Sequence, residues 1–129
     1  MPTVDALLDR EYKDDYQCAH FVREAYKHLY NEELPPEFES FILPPGQRTV
    51  TRSIKNSFSV VRNPSNRCIG IFRKVRGRPH VGLWHKGSIL NLASSGVQYV
   101  PLHVVMLRFK SVQFYKADHH GKNSVFRDR

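Results

Sequence analysis

The sequence predicts an α+β domain in which one amphipathic helix comes first and an antiparallel sheet follows it. Two patterns carry that expectation. Apolar residues recur at helical spacing between Asp15 and Tyr30, whereas the chain after Asn63-Pro64-Ser65-Asn66 breaks into short β-branched and aromatic runs separated by Gly, Pro and Ser. A third observation sets the scale: 129 residues, 40% of them hydrophobic and 12% aromatic, hold enough apolar material for one core without disulfide or metal staples.

The helix is expected from about Asp15 to Tyr30. Cys18, Phe21, Val22, Ala25 and Leu29 form its apolar face, Arg23, Glu24 and Lys27 lie opposite, and Asp14 or Asp15 is placed to cap its start. Cys18 therefore falls in or beside the first turn, on the face that meets the core. A weaker helix is expected over residues 48–57. Strands are expected at Cys68 to Val75, His80 to His85, Ser88 to Ala93, Val97 to Val100 and Ser111 to Tyr115, with the sheet beginning only after the turn at Asn63-Pro64. Pro101 to Phe109 reads as a short helix opened by proline.

Lys86-Gly87 suits a two-residue hairpin turn that pairs His85 with Ser88. Carrying the ladder onward pairs Gly82 with Asn91 and His80 with Ala93, which sets Asn91 diagonal to His80 on the same face. A three-residue turn would send Asn91 to the opposite face. The proline pairs at Pro35-Pro36 and Pro44-Pro45 punctuate a single domain expected to span residues 1–116, and residues 117–129 lack an apolar period and are expected to form a polar tail. His119-His120 in that tail has no second ligand pair at metal-site spacing, so neither a metal nor a cofactor is expected.

The formal net charge of +8 is unevenly spread, because the acids crowd into the first 39 residues and none occurs from residue 40 to 117. The plain reading is a basic surface docked in part against the acidic N-terminal segment. The functional readings are attraction to an anionic polymer, such as a cell wall or nucleic acid, or to an acidic protein. Arg73, Lys74, Arg76 and Arg78 are the densest basic run and the candidate contact with such a polymer. No apolar run approaches the roughly 20 residues of a membrane span, and Asp5, Asp9 and Glu11 stand where a leader would be basic and then apolar. The chain therefore reads as made in a cytosol without an export address of its own, and both cysteines read as free thiols.

A thiol attacks as thiolate, needs a base within reach, and needs a polar group that orients the base. Cys18 at a helix start is the candidate nucleophile; Cys68, inside a strand pattern, reads as a small buried hydrophobe. His85 points away from His80 by alternation, and His20 and His28 sit on a helix already rich in charge, so these three read as structural.

The run Tyr16-Gln17-Cys18-Ala19-His20-Phe21-Val22-Arg23 resembles the nucleophile motif of the NlpC/P60 family. Further on, His80-Val81-Gly82-Leu83-Trp84 is similar to that family's His-Val-Gly-Ile-Tyr strand, and Asn91-Leu92-Ala93-Ser94-Ser95 to its following His-Ala-Ser segment. Order and separation of the motifs agree over roughly residues 5–115. The resemblance implies a papain-like fold, with a helix bearing Cys packed on an antiparallel sheet. It also implies a cysteine peptidase or amidase in which Cys18 is the nucleophile, His80 the base and Asn91 the third member. Asparagine in that role is familiar from papain-like enzymes. The sequence departs from the family at Gln17, where Asp or Asn is usual, at Ala19-His20, where Ser-Gly is usual, and in the segment preceding the His strand, which reads Cys68-Ile69-Gly70 where a Gly-Asp pair is common.

For the oxyanion, the backbone N–H of Cys18 is one donor, and Gln17, Tyr16 and Tyr12 remain open as the second. The implied substrate is the stem peptide of peptidoglycan. Delivery to the wall would then fall to another machine, with phage-tail or secretion-system proteins as partners. Two other classes of function stand beside this one: a structural tail or assembly protein of the same fold without turnover, and a basic nucleic-acid-binding module, nucleic acid being the less expected partner.

Overall fold

The computed structural model describes residues 3–38 and 57–118. A short 3-10 turn at Val4–Leu7 leads into helix α1, Cys18–Tyr30. Six strands follow: β1 Phe58–Val61, β2 Cys68–Arg73, β3 His80–His85, β4 Ser88–Ala93, β5 Gly96–Val100 and β6 Ser111–Ala117. Between β5 and β6 lie the one-turn helix α2, Leu102–Val105, and a 3-10 turn at Met106–Arg108. The strands form one antiparallel sheet in the order β1-β6-β2-β3-β4-β5. Architecture is thus α+β, as the two periodicities predict.

The chain enters α1 differently from expectation. Lys13 and Tyr16 exchange backbone hydrogen bonds of 3.0 Å in each direction, which folds Asp14 and Asp15 into a tight turn ahead of the helix. Gln17 is consequently the residue in extended conformation at the cap, and its N–H donates to His20 Nδ1 at 3.1 Å. At the other end Asn31 adopts the left-handed conformation, φ 55°, and its N–H returns to the Lys27 carbonyl at 2.9 Å.

The apolar face of α1 packs on one side of the sheet. Phe21, Val22, Ala25 and Tyr26 meet Ile69, Ile71, Val81, Leu83, Leu90 and Leu92, all essentially inaccessible to water. Each of the Phe, Val, Ile and Leu side chains contributes about 1.5–3 kcal/mol by burial. The opposite face carries a second cluster of Cys68, Phe72, Ile89, Val105 and Phe114, with α2 and Phe109 packed over it. Strands β2, β3 and β4 are therefore covered on both sides, which is why they read as near-continuous apolar runs.

Strand ends differ from the sequence reading in identifiable ways. The sheet begins with β1, before the Asn63-Pro64 turn, because Phe58–Val61 pairs with the far half of β6 from Phe58↔Ala117 to Val61↔Phe114. Pairing with β1 carries β6 through Lys116 and the buried Ala117, and the Asp118 N–H donates to the Ser57 carbonyl at 2.6 Å. Strand β6 thus runs one residue past the expected boundary at residue 116. The helix expected over residues 48–57 and the His119-His120 pair lie outside the described residues.

Candidate active site

His85 pairs with Ser88 across Lys86-Gly87, both of which have positive φ, 51° and 84°, as a two-residue hairpin turn of this hand requires. The β3–β4 ladder then runs only to Leu83↔Leu90. It does not continue to Gly82 and Asn91 as the sequence reading had it, although Asn91 through Ala93 remains paired with β5. Asn91 nevertheless stays beside Gly82, where a Cβ would lie 3.5 Å from the Asn91 Cβ. A Cβ at Gly82 would also come within 2.7 Å of Ile89 Cγ2, so glycine keeps this corner open.

Into that corner the sheet projects His80 and Asn91 from one face. His80 Nε2 lies 3.0 Å from Asn91 Oδ1. Asn91 is fully buried, and its amide N–H₂ donates to the carbonyls of Ile89 at 3.4 Å and Gln98 at 3.3 Å, which fixes Oδ1 as the atom facing the imidazole. An amide oxygen only accepts, so Nε2 carries the hydrogen and Nδ1 keeps its lone pair. The His80 ring is stacked on Phe109, with centroids 5.3 Å apart and planes 11° from parallel, and is flanked by Phe72 at 6.0 Å.

Cys18 and His80 line one cleft of about 580 Å³, whose floor includes Leu92 and Ala93 from the end of β4. The thiol is half-buried at the first turn of α1, where the backbone N–H groups of Cys18, Ala19 and His20 precede the first helical bond, Phe21 N–H to Gln17 carbonyl. Burial pushes the Cys18 thiol up, against the opposing pull of the backbone N–H groups of Val81, Ala19 and Cys18 itself. Val81 follows His80 directly, so the sulfur rests against the peptide that joins them. Burial also pushes the His80 imidazole down, an effect that its bond to Asn91 resists and the charges of Arg108 and Lys74 reinforce. Both shifts favour a resting pair of neutral thiol and neutral imidazole. The helix terminus alone would have favoured the thiolate.

Of the three open oxyanion donors, Gln17 and Tyr12 line the cleft, and Gln17 Nε2 already donates one hydrogen to the Asp14 carbonyl at 3.2 Å. Tyr16 is not among the residues that line the cleft. Its hydroxyl donates to Glu24, which also pairs with Arg10 at 2.8 Å, and this cluster lies in a separate hollow.

Lys74, Arg76 and Arg78 line the cleft as well, and Asp14 is the one acid among the described lining residues. Arg73 does not join them. It ends β2, exposed, with its carbonyl accepting the Lys110 N–H at 2.7 Å. Arg108, which the sequence reading missed, takes its place, its Nη2 held by Gln98 Oε1 at 2.9 Å. Phe109 was missed too, since no local pattern announces that the segment after α2 folds back over β3.

The remaining thiol and imidazoles have structural partners. Cys68 is fully buried and accepts the Ser65 N–H at 3.4 Å. His85 Nδ1 lies 2.6 Å from the Tyr30 hydroxyl on the α1 side of the sheet, and His28 Nε2 lies 2.9 Å from the Thr3 carbonyl. Among the described residues no group of three or more His, Cys, Asp or Glu side chains is placed to hold a metal, and no helix is long and apolar enough to cross a membrane. Compared with known proteins, the chain matches no family model and no curated protein.

Proposed function

We propose that the protein is a cysteine amide hydrolase of NlpC/P60 type with a papain-like fold, acting on the stem peptides of peptidoglycan. The observation that carries this reading is the Asn91–His80 bond behind the cleft that His80 and Cys18 both line, since it leaves His80 Nδ1 with its lone pair free to act as a base.

In the proposed reaction the Sγ–H proton passes to His80 Nδ1 as sulfur bonds to the amide carbonyl carbon. Charge on the carbonyl oxygen is met by the Cys18 N–H, with Gln17 or Tyr12 as second donor. His80, now cationic, gives its proton to the amide nitrogen as the C–N bond breaks, and the amine departs. Water then loses a proton to Nδ1 and attacks the thioester, and the returning proton restores the thiol as the acid product leaves. Asn91 holds the ring through both halves. The cations at the mouth of the cleft suit a substrate that carries carboxylates.

Mass spectrometry of soluble fragments from purified peptidoglycan tests the substrate. Wild-type protein should cut stem peptides at one amide, and Cys18→Ala should leave them whole. Intact stem peptides after wild-type digestion of walls of several chemotypes would refute the assignment.

A further inference from the structure

Beside the cleft, two chain segments stand side by side: the loop after β2 and the segment after α2. They are tied by the Lys110 N–H to Arg73 carbonyl bond of 2.7 Å and by the adjoining Arg73↔Ser111 pair. Each offers one large aliphatic side chain to solvent, Val75 at 79% exposure and Leu107 at 83%, higher than any other large apolar residue among those described. Both line one shallow hollow, and the other side chains around it are Lys74, Arg76, Arg108, Lys110 and Phe109, with no acid among them.

We propose that this surface docks on a bilayer containing anionic phospholipid. Charge complementarity selects an anionic partner, because four cations and no acid line this hollow and Asp14 is the one acid among the described residues of the adjoining cleft. The aliphatic pair selects a bilayer. Val75 and Leu107 have no flat face on which a base could stack, and a soluble polyanion would leave them in water. At the headgroup boundary the same two side chains enter the acyl region while the surrounding Lys and Arg meet phosphates. Lys74, Arg76, Arg108 and Phe109 also line the Cys18 cleft, so docking holds the mouth of that cleft at the membrane surface.

The test is co-sedimentation with vesicles of equimolar phosphatidylcholine and phosphatidylglycerol, read without any hydrolysis assay. Wild-type protein should bind these vesicles, bind pure phosphatidylcholine weakly, and release as salt rises. The double variant Val75→Ser/Leu107→Ser keeps every charge and changes only exposed side chains. It should keep the wild-type melting temperature and lose about tenfold or more in partition, corresponding to about 1.4 kcal/mol. Arg76→Gln/Lys110→Gln should weaken binding and flatten its salt dependence. Unchanged partition of the serine variant would overturn the proposal. So would equal binding to pure phosphatidylcholine, or tighter binding to duplex DNA that the serine substitutions leave untouched, which would make the surface a polyanion site.

Discussion

His80 Nε2 lies 3.0 Å from Asn91 Oδ1, and this bond decides which nitrogen of the ring is free to act as a base. Asn91 is itself held by the carbonyls of Ile89 and Gln98, so the ring's tautomer is set by the sheet backbone two steps away.

Asn91→Ala should therefore lower kcat by about 10²-fold with KM little changed, the scale on which a positioned acid–base group contributes. It also strands buried polar groups, the Nε2–H of His80 included, at a cost of about 1–3 kcal/mol in unfolding free energy. Activity and denaturant midpoint measured on one preparation check both. An unaltered kcat would remove Asn91 from the mechanism.

The pH profile follows from burial. Because the His80 imidazole is held below its ordinary 6.5, the base is neutral at pH 7, and the acid limb of kcat/KM should fall below 6.5. The same lowered value means that the unfolded chain takes up a proton first as pH drops. Its contribution to stability is thus fully present above 6.5 and is lost as pH falls through the folded-state value.

Phe109→Ala should open the imidazole to water and move that acid limb upward, toward the ordinary histidine range, with a fall in kcat of about tenfold. Phe109→Tyr, which preserves the stacked ring, should restore both. A loss of rate with no movement of the limb would assign Phe109 a packing role alone.

Gly82→Ala places a methyl group 2.7 Å from Ile89 Cγ2 and 3.2 Å from Phe72 Cε1. Overpacking of this kind costs about 1–3 kcal/mol. Thermal unfolding should register the loss, and kcat should fall with it because Asn91 adjoins the same corner.

Iodoacetamide should reach Cys18 and leave Cys68 untouched until unfolding, since Cys68 lies wholly inside the second core cluster. With the Cys18 thiol held above its ordinary 9.0, its labelling rate should still be climbing at pH 9. A plateau near neutral pH would point to a thiolate at rest, and native labelling of Cys68 first would reverse the ranking.

Much of this arrangement was legible in the chain because it rests on local signals. The 3.6-residue period drew α1, the Lys86-Gly87 turn set the β3–β4 hairpin, and alternation placed Asn91 on the face of His80. What was not legible depends on contacts distant in sequence. Strand β1 has only Phe58 buried and Val60 is 58% exposed, so its identity comes from pairing with β6, about fifty residues on. Phe109 and Arg108 acquire their place only when the segment after α2 folds over β3. The Cys18 thiol shows the same limit, since its helix position is written in the sequence but the burial that outweighs it is made by the β3 and β4 strands.

Acid quench during turnover on peptidoglycan fragments, followed by peptide mapping of the protein, tests Cys18 as the nucleophile most directly. An acyl group in thioester linkage on Cys18 is expected, forming far more slowly in His80→Ala and absent from Cys18→Ala. Release of new amine with no adduct on Cys18, or at an equal rate from Cys18→Ala, would contradict it.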